Sequence, residues 1–392
     1  MRRIPVVLLL LVTSSINADF SGRLAAEAQY FPVEPRFATQ FEQNLTYAFE
    51  PRWAFESDQG DDLWSAELMM RLDNKDEGRS KVDVRELLWL HLDGDNEWRV
   101  GVNTMFWGVT ESRHLVDVVN QTDLVEGVDG EDKLGQPMIH LKRYFDWGVF
   151  DVLLLPYFRE RTFPEKEGRL RTPLVVDTDQ AQYESSAEEQ HIDLALRFSQ
   201  TYGDVDLGLH LFDGTNRDPL LQTGVDSNGN AVLIPFYAQM TQFGVDAQML
   251  YEDWIWKLEY IYRETAEDSY PAWTAGFEYT VYGVFDSSID FGALLEYSYD
   301  GRPEGRRDSL DRDLFLGGRF TVNDAQSTEL LAGLVIDTHN HSQSFRVEAS
   351  RRFGQSWKAS LELQTFHNVD SADTLAAIDQ DRYLLVEWGY YF

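Results

Sequence analysis

Apolar and polar residues alternate one for one along most of this chain, and that period constrains the fold more than any other feature. From Phe41 to Glu50 the odd positions are apolar except Gln43, and from Trp64 to Leu72 the even positions are. The runs Trp254–Arg263, Trp273–Tyr279 and Trp357–Leu363 repeat the pattern. Alternation over such lengths describes a β-strand with two unlike faces, and no segment of comparable length shows a helical period. About 18 strands follow, 16 being the alternative count, at 20–31, 41–56, 61–73, 80–92, 97–107, 138–145, 147–160, 189–201, 204–213, 234–250, 253–264, 271–283, 288–300, 311–322, 327–338, 343–353, 356–367 and 380–392.

The connections sharpen the fold class. Short ones such as Asp93–Asn96, Thr201–Gly203 and Phe353–Gln355 carry Gly, Asn or Asp, which suit tight hairpins. Longer ones at 108–137, 161–188, 213–233, 301–310 and 368–379 lie between them, and the two kinds are expected to alternate strictly. In hydrocarbon every backbone group needs an internal partner, so only helices and closed barrels cross a bilayer. Barrels of that kind carry tight turns at one end and longer loops at the other. The expectation is an all-β, antiparallel, up-and-down transmembrane barrel. A mean hydropathy of −0.38 excludes a bundle of membrane helices. It does not exclude a barrel, in which apolar residues are spread one in two.

The first 18 residues differ. Arg2 and Arg3 precede the apolar run Pro5–Val12, and Ser14–Ala18 ends on a small residue, which reads as a secretory signal peptide. The remainder, 19–392, reads as a single barrel domain because the strand pattern begins at Phe20. An excess of 67 acids over 34 bases argues against nucleic acid as a partner, and the absence of cysteine removes disulfides, thiolate metal sites and thiol catalysis.

The final strand, Leu384–Phe392, has apolar or aromatic residues at its even positions and stops on Phe392. It resembles the last strand of Gram-negative outer-membrane β-barrel proteins. That resemblance implies residence in the bacterial outer membrane, contact with its lipid and lipopolysaccharide, and reading of Trp388, Tyr390 and Phe392 by the barrel-assembly machinery. Trp98, Trp254, Trp273, Trp357 and Trp388 fall near strand ends, as an aromatic girdle requires. Phe106–Gly108, Asn120–Leu124 and Leu155–Arg161 look like a little-characterised group of proteobacterial porin-like proteins, which implies a class but no substrate.

If the apolar faces meet lipid, the opposite faces line the interior. The pore-lining candidates are Arg52, Arg71, Arg85, Arg99, Arg197, Lys257, Arg319 and Arg346, with Glu50, Glu67, Asp193, Asp246, Glu259 and Glu278. A charge-mixed wall around so many strands suits a water-filled channel. The loop 108–137 is too apolar to stand in solvent, so it either folds into the lumen or packs over the outer rim. Its constriction candidates are Glu111, Arg113, Asp117, Asp123 and Glu126. These acids lack EF-hand spacing. No H-E-x-x-H or G-x-S-x-G occurs, and His339-Asn340-His341 reads as turn composition. No cofactor, metal or catalytic site is expected. The leading reading is passive diffusion of small polar solutes, with a weak preference for cations. The alternative is a non-conducting barrel acting as an enzyme, for which His91, His210, Arg85 and Glu50 are the first residues to test, or as a surface or structural protein.

Overall fold

The computed structural model describes residues 18–127, 129–302 and 311–392. The expected leader therefore lies outside the described residues, apart from Ala18 at the head of the first strand. The strands, in chain order, are β1 (Ala18–Tyr30), β2 (Gln43–Glu56), β3 (Asp62–Asp73), β4 (Lys81–Asp93), β5 (Asn96–Asn103), β6 (Gln136–Phe145), β7 (Gly148–Leu155), β8 (Gln182–Tyr183), β9 (Asp193–Tyr202), β10 (Val205–Thr215) and β11 (Leu220–Val225). They continue with β12 (Ala231–Tyr237), β13 (Gln239–Tyr251), β14 (Trp254–Thr265), β15 (Ser269–Val284), β16 (Ile289–Asp300), β17 (Arg312–Thr321), β18 (Glu329–Asp337), β19 (Gln343–Phe353), β20 (Trp357–His367) and β21 (Tyr383–Tyr391).

All but β8, β11 and β12 form one 18-stranded sheet in which each strand pairs antiparallel with its neighbours along the chain. The sheet closes because β1 pairs with both β2 and β21. At the seam Gly22 and Phe392 exchange two backbone hydrogen bonds of 3.1 Å. Arg23 sits there between Glu50 at 2.8 Å and Glu387 at 2.7 Å. The expected all-β up-and-down barrel is the observed one, and every expected barrel strand has its counterpart.

The outward faces are apolar and bare. Tyr47, Leu72, Leu87, Phe150, Leu211, Phe243, Trp256, Leu316 and Phe320 are all exposed, with Leu72 at 70%. A soluble protein would bury such a continuous surface, whereas a closed ladder with an apolar belt meets both demands of hydrocarbon. Aromatic pairs gather toward the short-turn end, among them Phe55–Trp64, Trp147–Phe198, Trp254–Tyr279 and Phe353–Trp388. Trp388 also meets Trp357, Tyr390 meets Trp357, and Phe392 meets Phe20, all on the outer face.

Three local expectations change. First, the connections do not alternate strictly in length. Those at 266–268 and 338–342 are shorter than 322–328 at the opposite end. The first can be that short because Thr265 N–H closes directly on the Asp268 carbonyl at 2.8 Å. Second, 213–233 is no simple loop. The chain leaves the barrel after Thr215, forms the β11–β12 hairpin, pairs β12 with β8 in parallel, and re-enters at Gln239. The expected strand 234–250 is thus two strands broken at Ala238, whose carbonyl accepts from Asn216 N–H at 2.8 Å. Third, the β3–β4 ladder shifts register between Glu67 and Leu68. That bulge inverts the facing of β4 beyond Arg85. His91, expected in the lumen, therefore stands on the outer face beside Trp89 and Asp62.

Candidate functional site

The lumen is built by one loop. Residues 104–127 and 129–135, between β5 and β6, fold into the barrel and divide it. The loop enters along an apolar strip of wall. Trp107, Leu115, Val116, Val118 and Val119 are buried against Met138, Leu153, Leu155, Ala195, Phe212, Met240, Ile261 and Ala272 of β6, β7, β9, β10, β13, β14 and β15. Burying such side chains gives roughly 1.5–3 kcal/mol each for the larger ones, so the seat of the loop is an interior core and not a set of surface contacts. Of the two arrangements open from sequence, the structure has the loop inside.

The turn of this loop is captured by carboxylates of the far wall. Glu259 on β14 is fully buried and accepts from Val109 N–H at 2.7 Å, Thr110 N–H at 3.0 Å, Thr110 Oγ1 at 2.8 Å and Val116 N–H at 3.2 Å. Glu296 on β16 accepts from the N–H groups of Glu111 and Ser112, each at 2.8 Å, and from Ser112 Oγ at 2.7 Å. Arg113 reaches Asp300 at 2.9 Å. Asp117 turns inward and caps the N–H groups of Trp107 and Gly108. His114 lies 2.9 Å from Glu131 and 3.7 Å from Glu259. Burial opposes its charged form, but the hydrogen bonds to those two carboxylates outweigh it and raise its pKa to about 10.

The returning arm is held by cations of the near wall. Asp123 bonds Lys81 at 2.7 Å and Arg85 at 2.8 Å, while Glu126 meets Arg71 and Lys81. Burial would raise the Asp123 acid, yet Lys81, the Thr162 hydroxyl and Arg85 hold it below the usual carboxylate range.

What remains of the lumen is two cavities beside the loop that share lining on the loop, β18 and β19. A cavity of about 670 Å³ opens on the long-loop side, and one of about 410 Å³ on the short-turn side. Glu111, Leu331, Arg346 and Glu348 line both. At this neck three ion pairs reach from loop to wall, Glu111–Arg319 at 2.7 Å, Asp129–Arg346 at 2.5 Å and the longer Glu111–Lys257 at 3.8 Å. Arg346 also meets Glu348 at 2.5 Å and Glu362 at 3.1 Å, and Arg319 meets Glu278 at 3.5 Å.

The fourteen wall candidates all fall on inward strand positions, but only some adjoin open space. Arg319 and Arg346 stand at the neck, with Lys257 3.8 Å from Glu111 and Glu278 behind Arg319. Arg71 and Arg85 hold the loop arm. Glu259, Asp193 and Asp246 are sealed off, with Asp193 on Arg217 at 2.5 Å and Asp246 on Arg197 at 2.6 Å. Arg52 pairs loosely with Glu67 at 4.0 Å, Arg99 with Glu97 at 2.5 Å, and Glu50 serves the seam. Among the loop candidates only Glu111 borders the neck. Arg113, Asp117, Asp123 and Glu126 are anchors. His210 is 2% exposed beneath Trp107, 5.2 Å away.

Sequence reasoning does not single out Asp129 as a neck residue, nor the apolar strip of wall. A signal for the strip exists: Val152-Leu153-Leu154-Leu155 is apolar on both faces, which a strand between lipid and water would not be.

No family model matches the chain, and no curated protein matches it significantly. Among solved structures it is similar to a multiply substituted variant of Rhodobacter blastica porin, with 14% identity over 96% of this chain and 100% of that one and a TM-score of 0.46. It is likewise similar to OmpT, an outer membrane protein of Vibrio cholerae in its trimer form, with 10% identity over 97% of this chain and 100% of that one and a TM-score of 0.47. Both likenesses are too remote to carry a residue's role from one chain to the other.

Proposed function

We propose that this protein is a bacterial outer-membrane channel through which small polar solutes diffuse, with the neck between the inserted loop and β17–β21 as its size filter. The observation that carries the reading is the pair of cavities meeting at Glu111, Leu331, Arg346 and Glu348. Carboxylates on the loop face guanidinium groups on the wall there, so a crossing solute meets fixed charges of both signs at close range. The short-turn cavity carries Glu111, Glu329, Glu348, Glu362 and Glu387 against Arg319, Arg346 and Lys358, which favours a weak preference for cations. His91 stands on the outer face and His210 lies under the loop, so neither borders the two cavities of the lumen. The outward Trp388, Tyr390 and Phe392 fit recognition by the assembly machinery, and the apolar belt fits contact with lipid and lipopolysaccharide.

A second reading has a specific observation in its favour. The ion pairs at the neck tie loop to wall, as they would in a closed barrel of structural or surface role. Proteoliposome swelling separates the two. The channel reading expects swelling rates that fall steeply with sugar size, together with a small zero-current potential of cationic sign in a salt gradient. Liposomes impermeable to the smallest sugar would overturn it in favour of the closed barrel.

A further inference from the structure

The long-loop cavity holds a group of arginines that a size filter does not require. Arg161 Nη1 lies 2.7 Å from Asp218 Oδ1, and Arg302 Nη1 lies 3.3 Å from Asp218 Oδ2. Arg263 acts on the same carboxylate, and the three cations together hold it below its ordinary range against the opposing effect of burial. Arg263 itself differs from its neighbours. Its Nε donates to Gln242 Oε1 at 2.9 Å, and its Nη1 has Tyr270 Oη at 3.3 Å and Asn216 Oδ1 at 3.5 Å, all neutral groups. Among the described residues no carboxylate forms an ion pair with it. A guanidinium inside a barrel, oriented by neutral partners and bordering a cavity, presents a planar fork suited to an incoming anion.

The surroundings select among anions. Tyr270, the cross-strand partner of Arg263 on β15, borders the same cavity. Leu331, Val335, Leu375 and Ile378, all partly exposed, line the same cavity. An inorganic anion would face that wall without gain, whereas an anion with a hydrocarbon body buries it. We propose that the long-loop cavity is a binding site for small organic carboxylates, with Arg263 and the Tyr270 hydroxyl receiving the carboxylate and Leu331, Val335, Leu375 and Ile378 receiving the apolar body.

This goes beyond size-filtered diffusion and does not depend on it, because binding is measurable on purified protein. Equilibrium dialysis of the detergent-solubilised full chain with labelled benzoate is expected to show saturable binding of one molecule per chain. Arg263→Gln should weaken it at least tenfold, Arg263→Lys less, and Tyr270→Phe severalfold. Arg143→Gln, on the outer face beside Asn96, should leave it unchanged. Acetate should compete at least tenfold less well than unlabelled benzoate, and inorganic phosphate not at all. Absence of saturable binding, equal affinity in folded Arg263→Gln and wild type, or displacement by phosphate as effective as by benzoate would each overturn the site. Should Arg263→Gln fail to give the heat-sensitive migration of a folded barrel, Tyr270→Phe carries the same decision. A barrel that conducts but binds no benzoate refutes this site alone, and one that binds benzoate but does not conduct refutes the channel alone.

Discussion

Replacing Glu259 with alanine should release the turn of the inserted loop while leaving the barrel closed. One carboxylate accepts three backbone N–H groups and one hydroxyl at 2.7–3.2 Å. Hydrogen bonds to a charged group contribute about 1.5–3 kcal/mol each, and a buried donor left without a partner costs about 1–3 kcal/mol. Thr110 and Val116 are 3% and 0% exposed, so water cannot replace the carboxylate unless the turn moves. The four bonds share one acceptor and do not add independently, so the turn should lose roughly 3–6 kcal/mol of its seating. That shifts a seated-to-free ratio by two orders of magnitude or more. Glu296, Asp300 and Asp117 still hold neighbouring points, which confines the change to residues near 109–116. Glu259→Gln keeps one carbonyl oxygen for Val109 and Thr110 but turns an NH₂ toward Val116 N–H, and should lose about 1.5–3 kcal/mol. The assay pairs single-channel recording with tryptic cleavage after Arg113. Glu259→Ala should give larger, noisier conductance steps and rapid cleavage, with Glu259→Gln between it and wild type. Wild-type conductance together with a protease-resistant loop in Glu259→Ala would refute the carboxylate-capture argument.

Three further outcomes are expected. His114 has its folded pKa raised from 6.5 to about 10, so its support for the loop is complete below about 6.5 and fades as pH rises through 10; current noise should grow between pH 8 and 10.5 in wild type, and His114→Gln, noisier throughout, should lose that dependence. Arg346→Gln removes the cation shared by Asp129, Glu348 and Glu362, leaving uncompensated acids at the neck worth on the order of 1 kcal/mol at a few ångströms in water, so the zero-current potential should move several-fold toward cation permeability. Gly101 adopts φ +138, and a Cβ there would lie 1.9 Å from the Leu87 carbonyl oxygen; Gly101→Ala should cost at least roughly 1–3 kcal/mol and lower the temperature at which the folded band disappears on unheated gels.

The barrel was legible because every spanning strand solves the same problem, lipid on one side and the interior on the other, and writes it at period 2. The strands around Tyr47, Leu72, Trp256 and Leu361 are plain for that reason. Legibility failed where a strand met other surroundings. The β3–β4 bulge turned His91 outward, a change no local pattern announces. The β11–β12 hairpin alternates like a barrel strand, so the period-2 pattern runs through Pro235 and Phe236 into β13 without a break. Inward Leu153, Leu155 and Phe212 break the polar inner face because they are the floor on which the loop sits. The anchors of the site were the least accessible. Glu259 and Glu296 look like any inward acids, and their partners at Val109–Ser112 lie some 150 and 185 residues away along the chain. Such pairings arise from closure of the sheet and leave no trace in spacing.

The central claim is that the open path runs along β17–β21 and not along the apolar strip beneath the loop. The native chain has no cysteine, so single substitutions report cleanly. Glu348→Cys lies at the neck, and Leu153→Cys replaces a fully buried residue of the strip. In planar bilayers, a charged, water-soluble methanethiosulfonate reagent should lower the conductance of Glu348→Cys stepwise and irreversibly, and leave Leu153→Cys unchanged. Block at Leu153→Cys with none at Glu348→Cys, or no conductance from either protein before the reagent is added, would contradict it.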